Sequence, residues 1–191
     1  MIQDIWPKHL DNQYKNLKPG KGDTVFYFQG SSLLARPSGH FNSQNPEENV
    51  LIYPQYDEFV QGIKSSYGDK AVDNFEFIYL LSIDEEHFFL ARKTGSLERG
   101  TFLGEMADSA VHKDMYSFVR GYEFIGVDSF RKAQPREHAY AAITAFHLYG
   151  WYRDNHFCGR CGKPLKHDDK QRMLRLSLIH ISEPTRPEPI S

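Results

Sequence analysis

The spacing of apolar residues alternates between a period of two and a helical period along the chain, and each switch marks an element. Residues 24–28, Thr-Val-Phe-Tyr-Phe, are β-branched and aromatic and close on Gln29-Gly30, which predicts a strand and a turn. Leu33, Leu34 and Ala35 supply a short return strand, and residues 49–53 another. Between them, residues 37–49 are rich in Pro, Gly, Ser and Asn and read as a loop. After Pro54 the period becomes helical: Phe59, Val60 and Ile63 follow Asp57, a candidate N-cap, and Gly68 is a natural stop. Residues 75–83 and 87–92 form the strongest strand pair, turned through Asp84, Glu85 and Glu86. Residues 95–111 read as loop with a short helix at 106–110, and 122–127 as one more strand.

Pro135 suits the first turn of a helix, where a missing N–H costs nothing, and Glu137 beside it favours the positive end of the dipole. Along that helix Ala139, Ile143, Phe146 and Gly150 share one face, while Tyr140, His147 and Trp151 share another. A helix apolar on two sides is usually sandwiched, which predicts a sheet on one face and a further domain or subunit on the other. Trp151 and Tyr152 read either as a ligand-stacking pair or as core and interface aromatics.

Composition narrows the class without naming a function. The 191 residues are 40% hydrophobic, 14% aromatic and 25% charged, enough for one packed domain with an appendage. A net charge of -2 gives no basic footprint for nucleic acid. No apolar run has the length to cross a bilayer, and residues 1–10, broken by Asp4, Pro7 and Lys8, form no signal-peptide core. With two closely spaced cysteines, the expected compartment is a reducing cytoplasm. The cluster Lys18-Pro19-Gly20-Lys21-Gly22 invites a phosphate-loop reading but lacks the Gly-Lys-Ser/Thr step, so a surface loop is expected. The acidic turn 84–86 offers carboxylates for a cation, although hairpin tips are commonly charged for solubility alone.

The candidate chemistry lies at Cys158-Gly159-Arg160-Cys161-Gly162, which holds the only cysteines. Their spacing is that of half a zinc ribbon, with Gly159 and Gly162 free to take the tight backbone angles of a knuckle. A redox pair and two incidental thiols are the other readings. Redox motifs follow a strand and open a helix, whereas this one follows a helical segment and is trailed by Gly-Lys-Pro. A tetrahedral site needs two more ligands; no second Cys-x-x-Cys is present, and His156 and His167 are makeshift candidates better read as solvated.

The run Ala141-Ala142-Ile143-Thr144-Ala145-Phe146-His147-Leu148-Tyr149-Gly150-Trp151-Tyr152-Arg153-Asp154-Asn155-His156-Phe157-Cys158-Gly159-Arg160-Cys161-Gly162 resembles the helix and first zinc knuckle of the NAD(H) pyrophosphatases, a branch of the Nudix hydrolases. The resemblance implies an N-terminal Nudix-like domain without a catalytic box, then a four-cysteine ribbon, then a catalytic Nudix domain. This chain would carry the first and half of the second. The implied fold is α+β, a mixed or antiparallel sheet with packed helices, a degenerate Nudix-like domain over 1–134, a connecting helix over 135–157 and a half ribbon over 158–175. Residues 176–191, with prolines at 184, 187 and 189, read as a disordered or artefactual tail.

By the same resemblance the intact protein is a cytoplasmic homodimer that hydrolyses the diphosphate of NAD(H) to nicotinamide mononucleotide and AMP. It would use magnesium or manganese for chemistry and zinc on Cys158 and Cys161 for structure, and some members remove NAD caps from RNA. The family motif is Gly-x5-Glu-x7-Arg-Glu-hydrophobic-x-Glu-Glu-x-Gly-hydrophobic. Aligned on Arg136-Glu137, its glycine falls on Tyr122, its first glutamate on Asp128 and its paired glutamates on Tyr140 and Ala141. No catalytic residue is therefore expected here, and the chain as given is expected to be inactive. The competing class is a non-enzymatic zinc-knuckle interaction module.

Overall fold

Aromatic and β-branched runs become the central strands of a mixed sheet, because such side chains pack well on a pleated, two-sided surface. The computed structural model describes residues 5–39, 50–93, 118–130, 133–168 and 170–176. In chain order these form β1 (Leu10–Asp11), β2 (Thr24–Gln29), β3 (Ser32–Ser38), β4 (Val50–Ile52), α1 (Tyr56–Tyr67) and a 3-10 helix (Asp69–Asn74). There follow β5 (Phe75–Ile83), β6 (Glu86–Lys93), β7 (Glu123–Gly126), α2 (Val127–Phe130), α3 (Arg136–Asp154), β8 (Leu165–His167) and β9 (Leu174–Leu176). The expected short helix at 106–110 lies outside the described residues.

The main sheet runs β1-β5-β6-β2-β3-β4, with β7 also on β3. Every pairing is antiparallel except β2 with β6, which is parallel from Thr24 opposite Phe88 to Tyr27 opposite Ala91. The fold is thus α+β with a mixed sheet. Alternation along the strands sends Phe26, Phe28, Ile78, Phe88 and Leu90 to one core, shared with α3. Val25, Tyr27, Tyr79, Phe89 and Ala91 go to a second core, shared with Phe59 and Ile63 of α1. Burying each such large side chain stabilises the fold by about 1.5–3 kcal/mol. Pairing of β5 with β6 slips between Tyr79 and Leu81, so Leu80 and Leu81 both face the α3 side.

Four expectations are corrected. The cap of α1 is Gln55, not Asp57: Glu58 reaches back to the Gln55 N–H at 3.1 Å in a capping box, and Asp57 sits in the first turn. Pro135 is the cap residue of α3 rather than its first helical residue. Strand β3 continues through Pro37, which lies opposite Leu51 of β4 where β2 has already diverged. The polar first segment contributes β1, which pairs Leu10 with Ile83 along the β5 edge.

Helix α3 buries Ala139, Ala141, Ala142, Ala145 and Tyr152. Small side chains, not Ile143 and Phe146, set its contact face and let its backbone approach the sheet. Ile143 and Phe146 are half-buried along the flank, where Phe146 and Tyr149 meet Phe28 at ring separations of 5.6 and 5.2 Å. The sheet covers one side of α3, while Arg136, His147, Trp151 and Asp154 are exposed within this chain. Among the described residues, no helix is long and apolar enough to cross a membrane.

Gly62, in the middle of α1, shows packing overriding helix propensity. A Cβ there would stand 2.7 Å from the Phe118 carbonyl oxygen and 3.0 Å from Val119 Cγ2. In an open helix Gly→Ala gains about 1 kcal/mol. Here the clash is with backbone and is expected to win, so Gly62→Ala should cost about 1–2 kcal/mol. Urea unfolding reads the sign directly; a raised midpoint would refute the clash.

Candidate functional site

The two cysteines sit at the tip of a hairpin that α3 feeds directly. Leu165 N–H donates to His156 C=O at 2.8 Å, Phe157 bridges Pro164, and Cys158 N–H donates to Lys163 C=O at 2.8 Å. The turn closes with Gly162 N–H on Cys158 C=O at 2.8 Å. Gly162 has φ 67°, the left-handed angle a knuckle asks of this position, whereas Gly159 stays out of that region. The amides of Cys161 and Arg160 point to the Cys158 sulfur. With the Cys161 thiol and the Arg160 charge, they lower the Cys158 pKa and favour the thiolate. Cys161 is exposed.

Neither histidine expected as a spare ligand stands free in solvent. His156 is half-buried, and burial and the Arg92 charge hold its pKa down against Asp154. His167 packs its ring against Tyr14 and Tyr152, each at 5.6 Å. Among the described residues, no three or more His, Cys, Asp or Glu side chains gather to hold a metal. Trp151, Phe157 and Leu176, each more than a third exposed, leave apolar surface in this region of the chain.

Residues after the knuckle form a second hairpin, most of it within the span expected as half a ribbon. Strands β8 and β9 pair Leu165 with Leu176, so Leu176 belongs to this hairpin and not to a tail. Asp168 organises the turn: its carboxylate accepts from Lys170 N and Gln171 N at 2.9 Å and pairs with Arg175 at 2.7 Å. Arg172 then reaches back to donate to Leu80 C=O, at the point where the β5 slip leaves that residue without a strand partner.

The acidic turn 84–86 holds segments together. Asp84 Oδ1 accepts from His9 N, and Asp84 N donates to His9 C=O, both at 2.8 Å. Glu86 opens β6, where Oε1 accepts from Thr24 Oγ1 at 3.3 Å and Oε2 meets His138 Nε2 at 2.9 Å. Burial raises the Glu86 pKa, but His138, Thr24 and Lys8 together outweigh it and leave it lowered.

A second site lies where the sheet forks. Strand β3 pairs β2 only through Phe28 and Gln29, then diverges. The chain leaving β4 fills the gap: Val25 N–H donates to Pro54 C=O at 2.9 Å and Tyr56 N–H to Asp23 C=O at 2.8 Å. The fork opens into a cleft of about 330 Å³, lined by Thr24 and Glu86 at the strand starts, Arg36 on β3, residues 50–53, Gln55, Glu58, Tyr122, Pro135 and His138. The Arg36 guanidinium lies 5.0 Å over the Tyr122 ring, and Tyr122 OH donates to Glu58 Oε2 at 2.7 Å. These residues come from separate elements, and no spacing in the sequence announces them. The nearest signals are an arginine closing the apolar run Leu33-Leu34-Ala35 and a glutamate three residues past a poor capping residue.

Two outcomes follow from these geometries. The depressed Glu86 pKa contributes stability that is present above the ordinary glutamate value of about 4.3 and lost as pH falls through the folded value. Glu86→Gln should therefore lower the melting temperature near neutral pH, with the gap to wild type closing in acid; a gap independent of pH would remove Glu86 from the linkage. For the knuckle, two thiolates fill half a zinc shell, so the purified 191-residue chain should bind zinc below one per chain or by sharing it between chains. Metal analysis with sizing tests this, and tight one-to-one zinc on a monomer would require ligands other than these two.

No known family description matches this chain, and no curated protein is similar to it, so both sites stand on their geometry.

Proposed function

We propose that this chain is the N-terminal, Nudix-like part of an NAD(H) pyrophosphatase, joined through α3 to the first half of its zinc ribbon. The observation that carries the reading is the run of α3 straight into a knuckle whose backbone amides favour the Cys158 thiolate. An α+β domain, a long helix and a Cys-x-x-Cys turn are also the order of elements that the sequence resemblance implies. Cys158 and Cys161 would hold structural zinc, with the other two ligands supplied by the remainder of the ribbon.

In this reading the first domain supports and the catalytic domain cleaves. A Nudix centre holds magnesium or manganese with glutamates, and those metals neutralise developing phosphate charge and activate water. The carboxylates of the fork cleft do not fit that role. Glu86 is engaged by Thr24 and His138, and Glu58 by Tyr122 and the Gln55 N–H. Of the residues at the motif positions, Glu137 is held by Lys8, and Tyr122, Asp128, Tyr140 and Ala141 add a single further carboxylate. No step of the reaction is assigned to this chain. Substrate choice among NADH, NAD and NAD-capped RNA, and the homodimer, belong to the intact enzyme.

The exposed Trp151, Phe157 and Leu176 favour a second reading, a zinc-knuckle interaction module that cuts no diphosphate. One experiment separates the two. The 191-residue chain incubated with NADH and manganese should release no AMP, whereas a chimera continuing from Arg175 into a relative's ribbon and Nudix domain should release it. An inactive but folded chimera supports the module, and AMP from the chain alone would sink the assignment of catalysis elsewhere.

A further inference from the structure

The turn that carries the cysteines holds their sulfurs within reach of each other. Cys158 C=O accepts from Gly162 N–H, and Cys158 N–H donates to Lys163 C=O, both at 2.8 Å, so the chain between the cysteines is wound into one tight turn. On a turn closed by an i→i+4 bond, Cα atoms three residues apart stand about 5 Å apart, inside the range of about 4.4–6.8 Å that a disulfide needs. The side chains converge as the backbones do: the Cys161 thiol is in hydrogen-bond contact with the Cys158 sulfur. A bond between the two sulfurs can therefore form with the stem hydrogen bonds kept.

Access to the pair is unequal. Cys161 is exposed and Cys158 is half-buried beside it. Thiol–disulfide exchange needs one sulfur that a reagent can reach and a second close enough to displace what the first has picked up. The turn supplies both. Arg160, between the cysteines, is exposed as well, and its charge favours an anionic reagent. Exposed disulfides are also the readily reduced ones, so a bond closed here is one that small thiols can open again.

We propose that Cys158 and Cys161 form a reversible thiol–disulfide switch, closed by exchange with a small anionic disulfide of the glutathione class. The Cys161 sulfur, as thiolate, attacks one sulfur of oxidised glutathione, the S–S bond of the reagent breaks, and one glutathione leaves. The Cys158 thiolate then attacks the Cys161 sulfur of the mixed disulfide, and the second glutathione leaves. Two protein thiols are oxidised to one disulfide, one glutathione disulfide is reduced to two thiols, and the two protons given up by the cysteines end on those thiols. The pair is acted on and turns nothing over, so the helix-then-knuckle order that argues against a redox catalyst does not argue against it. Nor does the inference rest on the pyrophosphatase reading, since closure needs only the turn and its two sulfurs. Where the pair also holds a cation, closure takes both thiolates from it, and the two states exclude each other.

The test is incubation of the 191-residue chain with oxidised glutathione in the presence of a chelator, read by intact mass after free thiols are alkylated. The expected product is a monomer lighter by two hydrogens with no thiol left to alkylate, and excess reduced glutathione should return both thiols. Cys158→Ser should stop at a single glutathione adduct that does not resolve, with its melting temperature measured alongside to show that it is folded. Zinc added in place of the chelator should slow closure about tenfold or more. Closure at the same rate with zinc on the chain still supports the switch and overturns the zinc reading alone. The switch fails if both thiols stay free, if the wild type stops at a stable glutathione adduct, if the product is a disulfide-linked dimer, or if reduced glutathione does not reopen the bond.

Discussion

A strand covered on both faces must find every backbone partner inside the protein, and β2 is such a strand. One of its edges is met by a single neighbour, parallel β6. The other is shared: β3 serves the turn end, and the chain around Pro54 and Gln55 serves the start. Two segments on one edge must part somewhere, and the cleft stands at that parting. The same arrangement starts α1 immediately after the shared segment, which brings Glu58 to the cleft as part of a helix cap. The cleft is thus a by-product of how β2 is satisfied.

The opposite face of the sheet depends on alanine. Ala139, Ala141, Ala142 and Ala145 bring α3 close over the strands, and that approach carries His138 to Glu86 and Glu137 to Lys8. It also orients the C-terminal end of α3, where Tyr152 is buried beneath the Arg92 guanidinium at 5.0 Å. The knuckle therefore leaves a helix whose last turn is anchored. A bulkier contact face would lift the helix and loosen both ends together.

How much of this was legible depended on whether the cause was local. The aromatic strands, the Gly68 stop and the long helix after Pro135 follow from neighbouring residues, and the sequence reading located them to within about three residues, the helix ending at Asp154 rather than 157. The β2–β6 parallel pair does not: it joins residues more than sixty positions apart and leaves no periodic trace. Strand β1 is two residues long, too short for any alternation to register. Gln55 was passed over as a cap because glutamine is a weak one on its own, and only the reach of Glu58 makes the box. At the candidate sites the contrast is the same. Cys158 and Cys161 announce themselves by spacing, while Arg36, Glu58 and Tyr122 are brought together only by the fork. Placing the ends of α3's buried face was also beyond periodicity, since alanine scores as neither strongly apolar nor polar.

The contact between Arg172 and Leu80 C=O spans 92 positions of sequence. During synthesis the β5 and β6 strands emerge long before that arginine exists. At about 5–20 residues per second, the interval is about 5–20 seconds. Through it, the Leu80 carbonyl is without this donor. The hairpin that follows the knuckle is consequently a late clasp on the sheet edge, because this one contact cannot form until Arg172 has been made.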